Sequence, residues 1–183
     1  MSSKLRERRI QGSRVYTGRI LDLDVDHVLL ANGHETVREV VRHRGAVVVL
    51  PLLKDQTVIL VRQYRYPVDE IMLELPAGKI DPGESPVDCA RRELKEETGL
   101  AAKELEALGT FFTTPGFSDE RLHAFLAEGL EPPGRSSPDA DELLETVRLP
   151  VRDVVKMATE GEVRDAKTLV TLFLWERSRA RVG

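Results

Sequence analysis

Long apolar runs are missing from this chain. No stretch approaches 18 apolar residues; the longest, Gly45–Leu53 and Leu169–Trp175, are the length of core elements, so a membrane span is excluded. An excess of positive charge is missing too. Lys plus Arg is 27 against 31 Asp plus Glu, a net charge of −4, which argues against a non-specific nucleic-acid binder. Cysteine is down to one residue, Cys89, so no disulfide can form within the chain. The charged N-terminus Met-Ser-Ser-Lys-Leu-Arg-Glu-Arg-Arg has no apolar segment behind its charges. A lone cysteine and no such segment together give the expectation of a cytoplasmic protein. There is no internal repeat and no low-complexity tract. What is present suits one ordinary domain, or one domain with a short extra arm: 183 residues, 41% hydrophobic and 32% charged.

The order of elements follows from local patterning. Residues 1–10 read as a loose lead-in. Val15–Leu30 alternates as a strand, and Asn32-Gly33 makes a two-residue hairpin turn because both positions tolerate a positive φ. A second strand covers about Glu35–Arg42, so residues 1–43 form an antiparallel sheet arm and 44–183 a main domain. Ala46–Leu53 is a buried strand with Thr57–Tyr64 as its hairpin partner, followed by a short strand at Ile71–Leu75 and a loop over Gly78–Glu84. Ser85 and Pro86 start a helix that runs to about Thr98 and stops at Gly99. Strands over Leu108–Thr113 and Arg121–Ala127 flank a Thr-Pro-Gly-Phe-Ser loop. A polar loop over Leu130–Asp141, a strand at Thr146–Leu149 and helices over Asp153–Thr159 and Asp165–Ala180 complete the chain. Strands and helices do not alternate regularly, which points to α+β with helices flanking a mixed sheet.

The informative segment is Gly78 to Leu100. On a helix Glu93 and Glu97 are i,i+4 neighbours and Glu93 and Glu96 are i,i+3 neighbours, so three carboxylates share a face. Like charges at that spacing repel and call for a compensating cation. Arg92 offers one, four residues before Glu96. A hard divalent ion offers a better one, because it takes carboxylate oxygens and bridges to substrate phosphates. Val87, Ala90 and Leu94 lie on another face and anchor the helix, while Glu84 can swing toward the carboxylates on a path that Gly78 and Gly83 permit. An ordinary solvated acidic face is the plain alternative for such a charge run. The four histidines show no metal-ligand spacing, and Cys89 reads as a small core residue.

The whole segment resembles the Nudix box, Gly-x5-Glu-x7-Arg-Glu-U-x-Glu-Glu-x-Gly-U with U aliphatic. Gly78, Glu84, Arg92, Glu93, Leu94, Glu96, Glu97, Gly99 and Leu100 fill all nine specified positions without a gap. The resemblance implies an α/β/α sandwich around a mixed sheet, and hydrolysis of a nucleoside diphosphate linked to another moiety. The chain looks most like the ADP-ribose pyrophosphatase branch, which carries an N-terminal sheet arm and forms intertwined homodimers. Three features carry that likeness: Pro115, sixteen residues after Gly99; Arg-Gln-Tyr-Arg at 62–65 ahead of Glu-Leu-Pro-Ala-Gly at 74–78; and the acidic stretch at 139–145. Pro115 and Gly116 also suit a plain turn.

The resemblance implies a reaction of ADP-ribose with water to give AMP and ribose 5-phosphate. It makes Glu93, Glu97 and the Ala77 carbonyl ligands of Mg²⁺, with Mn²⁺ as the alternative, and has Glu96 bind the metal directly or through water. Arg92 holds the glutamates, and Glu84 supports the loop or binds a further metal. In this branch the general base comes from the late acidic loop: Glu142 first, with Asp141 and Glu145 as rivals. Arg65 and Arg38 suit the diphosphate and ribose, because guanidinium forks match phosphate oxygens. Glu120 suits the sugar hydroxyls. The arm around Tyr16, Arg19 and Ile20, or that of a partner subunit, faces the adenine. Two other readings stand beside this one: a Nudix hydrolase for other nucleoside diphosphate sugars, flavin or dinucleotide substrates, and a non-catalytic module that senses ADP-ribose.

Overall fold

The computed structural model describes residues 3–131 and 143–180. The chain forms two compact units, Met1–Gly45 with Phe112–Arg121, and Ala46–Phe111 with Leu122–Gly183.

The first unit is built on an antiparallel three-stranded sheet: β1 (Arg8–Thr17), β2 (Asp22–Leu29) and β3 (Glu35–Arg42), in that order. The expected loose lead-in is thus a strand from Arg8 onward, because its backbone pairs with β2 from Arg8↔Leu29. The expected single strand over Val15–Leu30 is two strands. The chain reverses at Gly18, whose N–H donates to the Leu21 carbonyl at 2.9 Å. The turn before β3 also departs from expectation. Of its residues only Gly33 has a positive φ, 84°. Gly33 N–H bonds the Leu30 carbonyl and Leu30 N–H bonds the His34 carbonyl, so three residues make the connection. Asn32 contributes through its side-chain oxygen, which accepts from His34 N–H at 3.0 Å.

One face of this sheet is zipped by charge. Alternation along β2 puts Asp22, Asp24 and Asp26 on one side. Arg14 bonds Asp22 and Asp24, Arg42 bonds Asp24 and Asp26, and Arg9 bonds Asp26. The Arg14 and then the Arg42 guanidinium hold the Asp24 carboxyl down at about 2. The segment 112–121 joins the unit through Val41, whose N–H reaches the Phe117 carbonyl at 2.8 Å.

The second unit holds two sheets. One has the order β7 (Ala77–Lys79), β4 (Ala46–Pro51), β9 (Arg121–Glu131), β8 (Ala101–Phe112); the other has β10 (Leu144–Pro150), β5 (Thr57–Arg65), β6 (Glu70–Glu74). β4 runs parallel to β9 and antiparallel to β7, so the first of these is mixed. β4 and β5 do not form the expected two-stranded hairpin. They lie in different sheets and meet at a single bridge, Leu52↔Val58. β4 and the first half of β5, Val58–Val61, are apolar and buried on both faces, so the pattern shows burial and leaves the pairing partner open.

Every residue of β4 is buried. Val47 and Val49 pack in a cluster with Cys89, Ala90 and Leu94 of α1 (Pro86–Thr98). Val48 and Leu50 pack on the other side with Val154 of α2 (Val151–Thr159) and Leu172 and Trp175 of α3 (Ala166–Arg179). Helices thus cover both faces of a mixed sheet, as expected for an α+β sandwich. One anchor residue differs from expectation: Val87 is 37% exposed, while Ala90, Leu94 and the expected core residue Cys89 are fully buried.

Candidate active site

Helix α1 begins and ends where its sequence says. Ser85 Oγ accepts from Asp88 N–H, Pro86 stands in the first turn, and Gly99 closes the helix with a φ of 68°. The Asp88 carboxylate accepts from the Ser85 hydroxyl at 2.6 Å, which fixes the cap further. With its ends fixed, the helix presents Cys89, Ala90, Glu93, Leu94 and Glu97 inward. Glu93 and Glu97 therefore sit in the wall of the core, at 7% and 3% exposure.

Gly78 and Ala77 of β7 receive them. A Cβ added to Gly78 would fall 1.9 Å from the Glu93 carboxyl carbon, so only glycine leaves this carboxylate its place. The Ala77 N–H donates to Glu97 Oε2 at 3.2 Å. Gly78 was expected to open a loop. It stands instead in a short strand paired to Val47, and the rigidity of that pairing fixes the floor beneath Glu93.

Arg92 gathers the remaining carboxylates. Its Nε and Nη2 donate to Glu84 at 2.9 Å each, and its Nη1 donates to Glu93 at 2.7 Å and Glu96 at 2.9 Å. Nη2 also reaches the Lys79 carbonyl at 3.1 Å. Arg92 holds the Glu84 carboxyl at about 2, and its own guanidinium is pushed up, by Glu84 foremost. Glu84 accepts in addition from Asp81 N–H at 3.1 Å, so it is tied to its own loop and to Arg92. Cys89 is fully buried, and burial pushes its thiol up, consistent with a core role.

Among the described residues no three His, Cys, Asp or Glu side chains already converge as a metal cluster. The residues nonetheless fit a hard divalent cation. Glu84, Glu93, Glu96 and Glu97 bring four negative charges to the one positive charge of Arg92. Two of the four are nearly buried, and all the donors are oxygen. The three atoms nearest the space that Gly78 leaves all belong to the Glu93 carboxylate.

A second charged group lies beside the first and was not expected. Glu74, at the end of β6, is 1% exposed. Arg65 grips it through two bonds, Nε–Oε1 at 2.8 Å and Nη2–Oε2 at 2.7 Å, and Lys167 of α3 bonds the same carboxylate. Burial alone would raise this carboxyl; Arg65 and Lys167 outweigh burial and hold it low. Lys167 continues to Asp165 at 2.8 Å, and Asp165 caps α3 by accepting from Thr168 N–H and Oγ. The Thr168 hydroxyl accepts from Leu75 N–H at 2.8 Å. Glu74 was readable only as one more residue of the segment Glu-Leu-Pro-Ala-Gly, because its partners stand up to 93 positions away.

The other sequence candidates are placed as follows. Arg65 stands in this group, its guanidinium raised by Glu74 first and by Glu97 among lesser causes. Arg38, on β3 of the first unit, forks onto Glu7 at 3.0 and 2.7 Å. Arg19 lies in the β1–β2 turn beside a small cavity lined also by Ile20, Arg42 and His43. Pro115 and Gly116 form the turn that Phe117 and Ser118 N–H close on the Thr114 carbonyl. Glu120 accepts from the Thr113 hydroxyl at 2.6 Å. Glu145 is paired across from Arg62 in β10 and β5. Glu142 and Asp141 lie outside the described residues.

Comparison with known proteins agrees with this geometry. The chain is 42% identical over 165 residues to the ADP-ribose pyrophosphatase of Bacillus subtilis (strain 168), covering 90% of this chain and 89% of that protein. It is 36% identical over 173 residues to the methanol dehydrogenase activator of Bacillus methanolicus, covering 94% of each. A solved structure described as an ADP compounds hydrolase superposes with a TM-score of 0.85 at 27% identity, over 100% of this chain and 99% of that one. The NUDIX domain model matches residues 42–172, which include the whole Glu-bearing helix and the strand beneath it, and the chain belongs to the Nudix family.

Proposed function

We propose that this Nudix pyrophosphohydrolase cleaves ADP-ribose to AMP and ribose 5-phosphate, using Mg²⁺, with Mn²⁺ as the alternative. The observation that carries the reading is Glu93 seated over Gly78 with Glu97 on the adjacent Ala77 N–H, in a chain that fills every position of the box. Glu93, Glu97 and the Ala77 carbonyl would hold the metal, with Glu96 joining directly or through water. A bound divalent ion supplies charge neutralisation on the diphosphate and a more acidic water.

The chain's own residues do the rest. Arg92 keeps Glu93 and Glu96 in one orientation, so that the carboxylates need not reorganise when substrate arrives. Glu84 secures Arg92 and the loop. Glu142 takes the proton from the attacking water, with Asp141 and Glu145 as rivals for that role. Arg65 supplies a guanidinium to the diphosphate. Arg38 is assigned to the diphosphate and ribose, Glu120 to the sugar hydroxyls, Arg19 to the base, and Pro115 with Gly116 to substrate binding. The protein acts as a cytoplasmic homodimer in this reading.

Product analysis on a panel of ADP-ribose, ADP-glucose, other nucleoside diphosphate sugars and dinucleotides tests the substrate. ADP-ribose should give AMP and ribose 5-phosphate with the highest kcat/KM. Preference for another member of the panel would replace ADP-ribose and keep the chemistry. Binding of ADP-ribose without turnover of any member would replace the enzyme with a sensor.

A further inference from the structure

We infer that Glu74 is a positioning residue for the diphosphate, acting through Arg65; the inference rests on the assignment of Arg65 to the diphosphate. A buried carboxylate needs a partner, and Glu74 has two cations. Lys167 is itself only 16% exposed and fixed by Asp165, so it is a permanent counter-ion within the fold. Arg65 is different. Its side chain is 37% exposed, and the carboxylate engages two of its five N–H donors. The bidentate bond fixes the plane of the guanidinium and leaves its other edge for a second anion. A free arginine has many rotamers to lose on binding phosphate; this one has lost them already.

The backbone that follows Glu74 is held as well, by α3, β4 and α1 in turn. Leu75 N–H is bound to the Thr168 hydroxyl, Val49 N–H to the Pro76 carbonyl, and Ala77 N–H to Glu97. Residues 74 to 77 are thus pinned consecutively, so the orientation of Arg65 is set in one frame with the carboxylates of α1. Glu74 touches no substrate in this account. It acts by deciding where the Arg65 donors point.

The sign of one measurement separates this role from simple electrostatics. Glu74→Gln removes a negative charge near the proposed diphosphate, and charge alone would tighten anion binding. Positioning requires the opposite, since an amide NH₂ cannot accept from Arg65 Nη2. The affinity of the Mg²⁺-supplied full-length protein for inorganic pyrophosphate is measured by calorimetry. KM and kcat for ADP-ribose are measured alongside. We expect Kd and KM to rise about tenfold while kcat changes by less than about threefold. On an Arg65→Lys background the same Glu74 substitution should have no further effect on Kd. An unchanged or tighter Kd in Glu74→Gln overturns the proposal, as does an additive effect on the Arg65→Lys background.

A measurement on the unaltered protein serves if Glu74→Gln does not fold. The Arg65 Nε–H should be protected from solvent exchange and stay so when pyrophosphate shifts its NMR signal. Exchange at the free-guanidinium rate, or no shift with pyrophosphate, overturns the proposal. Pyrophosphate binding needs no turnover. A shifted Kd without ADP-ribose hydrolysis would sink the substrate reading and leave this one standing; hydrolysis without the shift would do the reverse.

Discussion

Gly78 and Glu93 show how little room the site leaves. A methyl group at Gly78 would meet first the far end of the Glu93 side chain, which can move aside. Gly78→Ala should therefore lower stability by less than about 1 kcal/mol, below the usual cost of overpacking a rigid core. Turnover should fall far more, by about a hundredfold, because the displaced group is a proposed metal ligand. Thermal unfolding and initial rates on one preparation check both halves; a large loss of Tm with normal turnover of the folded fraction would refute the seat described for Glu93. At this scale the box was legible, since its meaning lies in spacing along one helix, and spacing is written in the sequence. Glu74 was not. Nothing local marks a glutamate that will be buried against Arg65 and a lysine of the last helix. The expected inward Val87 failed for a related reason: helix periodicity gives a face, and packing chose Cys89 at the edge of that face.

Elements were legible where their ends carry chemistry. Ser85, Pro86 and Gly99 name the limits of α1, and the structure keeps them. Ser85→Ala should cost about 1 kcal/mol by urea unfolding, the usual loss of an N-cap hydrogen bond. No change in the denaturation midpoint would mean that Asp88 and Pro86 suffice. The strands of the first unit were less legible. The Gly18 reversal lacks the Asn-Gly or Pro signals of a turn, so the alternating pattern runs through it, and β1 is exposed at every residue, so burial gives it no pattern. The Asp–Arg zipper lies on one face of that sheet, and it makes a pH prediction. Asp24 is held at about 2 against an ordinary 3.8. Its folded value is depressed, so its stabilisation is present above about 3.8 and is lost as pH falls from there through about 2. NMR shifts of the β1 amides should report loosening in that window, and Asp24→Asn should remove the dependence. Loosening that begins well above pH 4, or that persists unchanged in Asp24→Asn, would place the titration elsewhere.

At the scale of the molecule, two compact units carry two kinds of chemistry. The second unit holds its acidic helix and strand in a core buried on both faces, which makes the carboxylate geometry rigid. The first unit has β1 at the edge of its sheet, ten residues long, and shows Ile10, Val15, Tyr16 and Ile20 to solvent. A long edge strand with exposed apolar side chains among its polar ones is a template for association, in keeping with the proposed homodimer. Sedimentation at micromolar concentration should find a dimer, and Val15→Lys should weaken it; an active monomer would end that proposal. Among the described residues no helix is long and apolar enough to cross a membrane. The sandwich was legible as α+β from element order, while the division of its strands between two sheets was not, because the apolar runs Ala46–Leu50 and Val58–Val61 mark burial without naming a pairing partner.

The most direct test is the rate of ADP-ribose hydrolysis as Mg²⁺ is titrated into protein held in excess chelator, for the natural chain and for Glu97→Gln. The account predicts no turnover before the ion is added, saturable recovery in the natural chain, and a saturating rate lower by orders of magnitude in a folded Glu97→Gln. Full turnover in chelator, or a Glu97→Gln protein with the natural metal response, would contradict it.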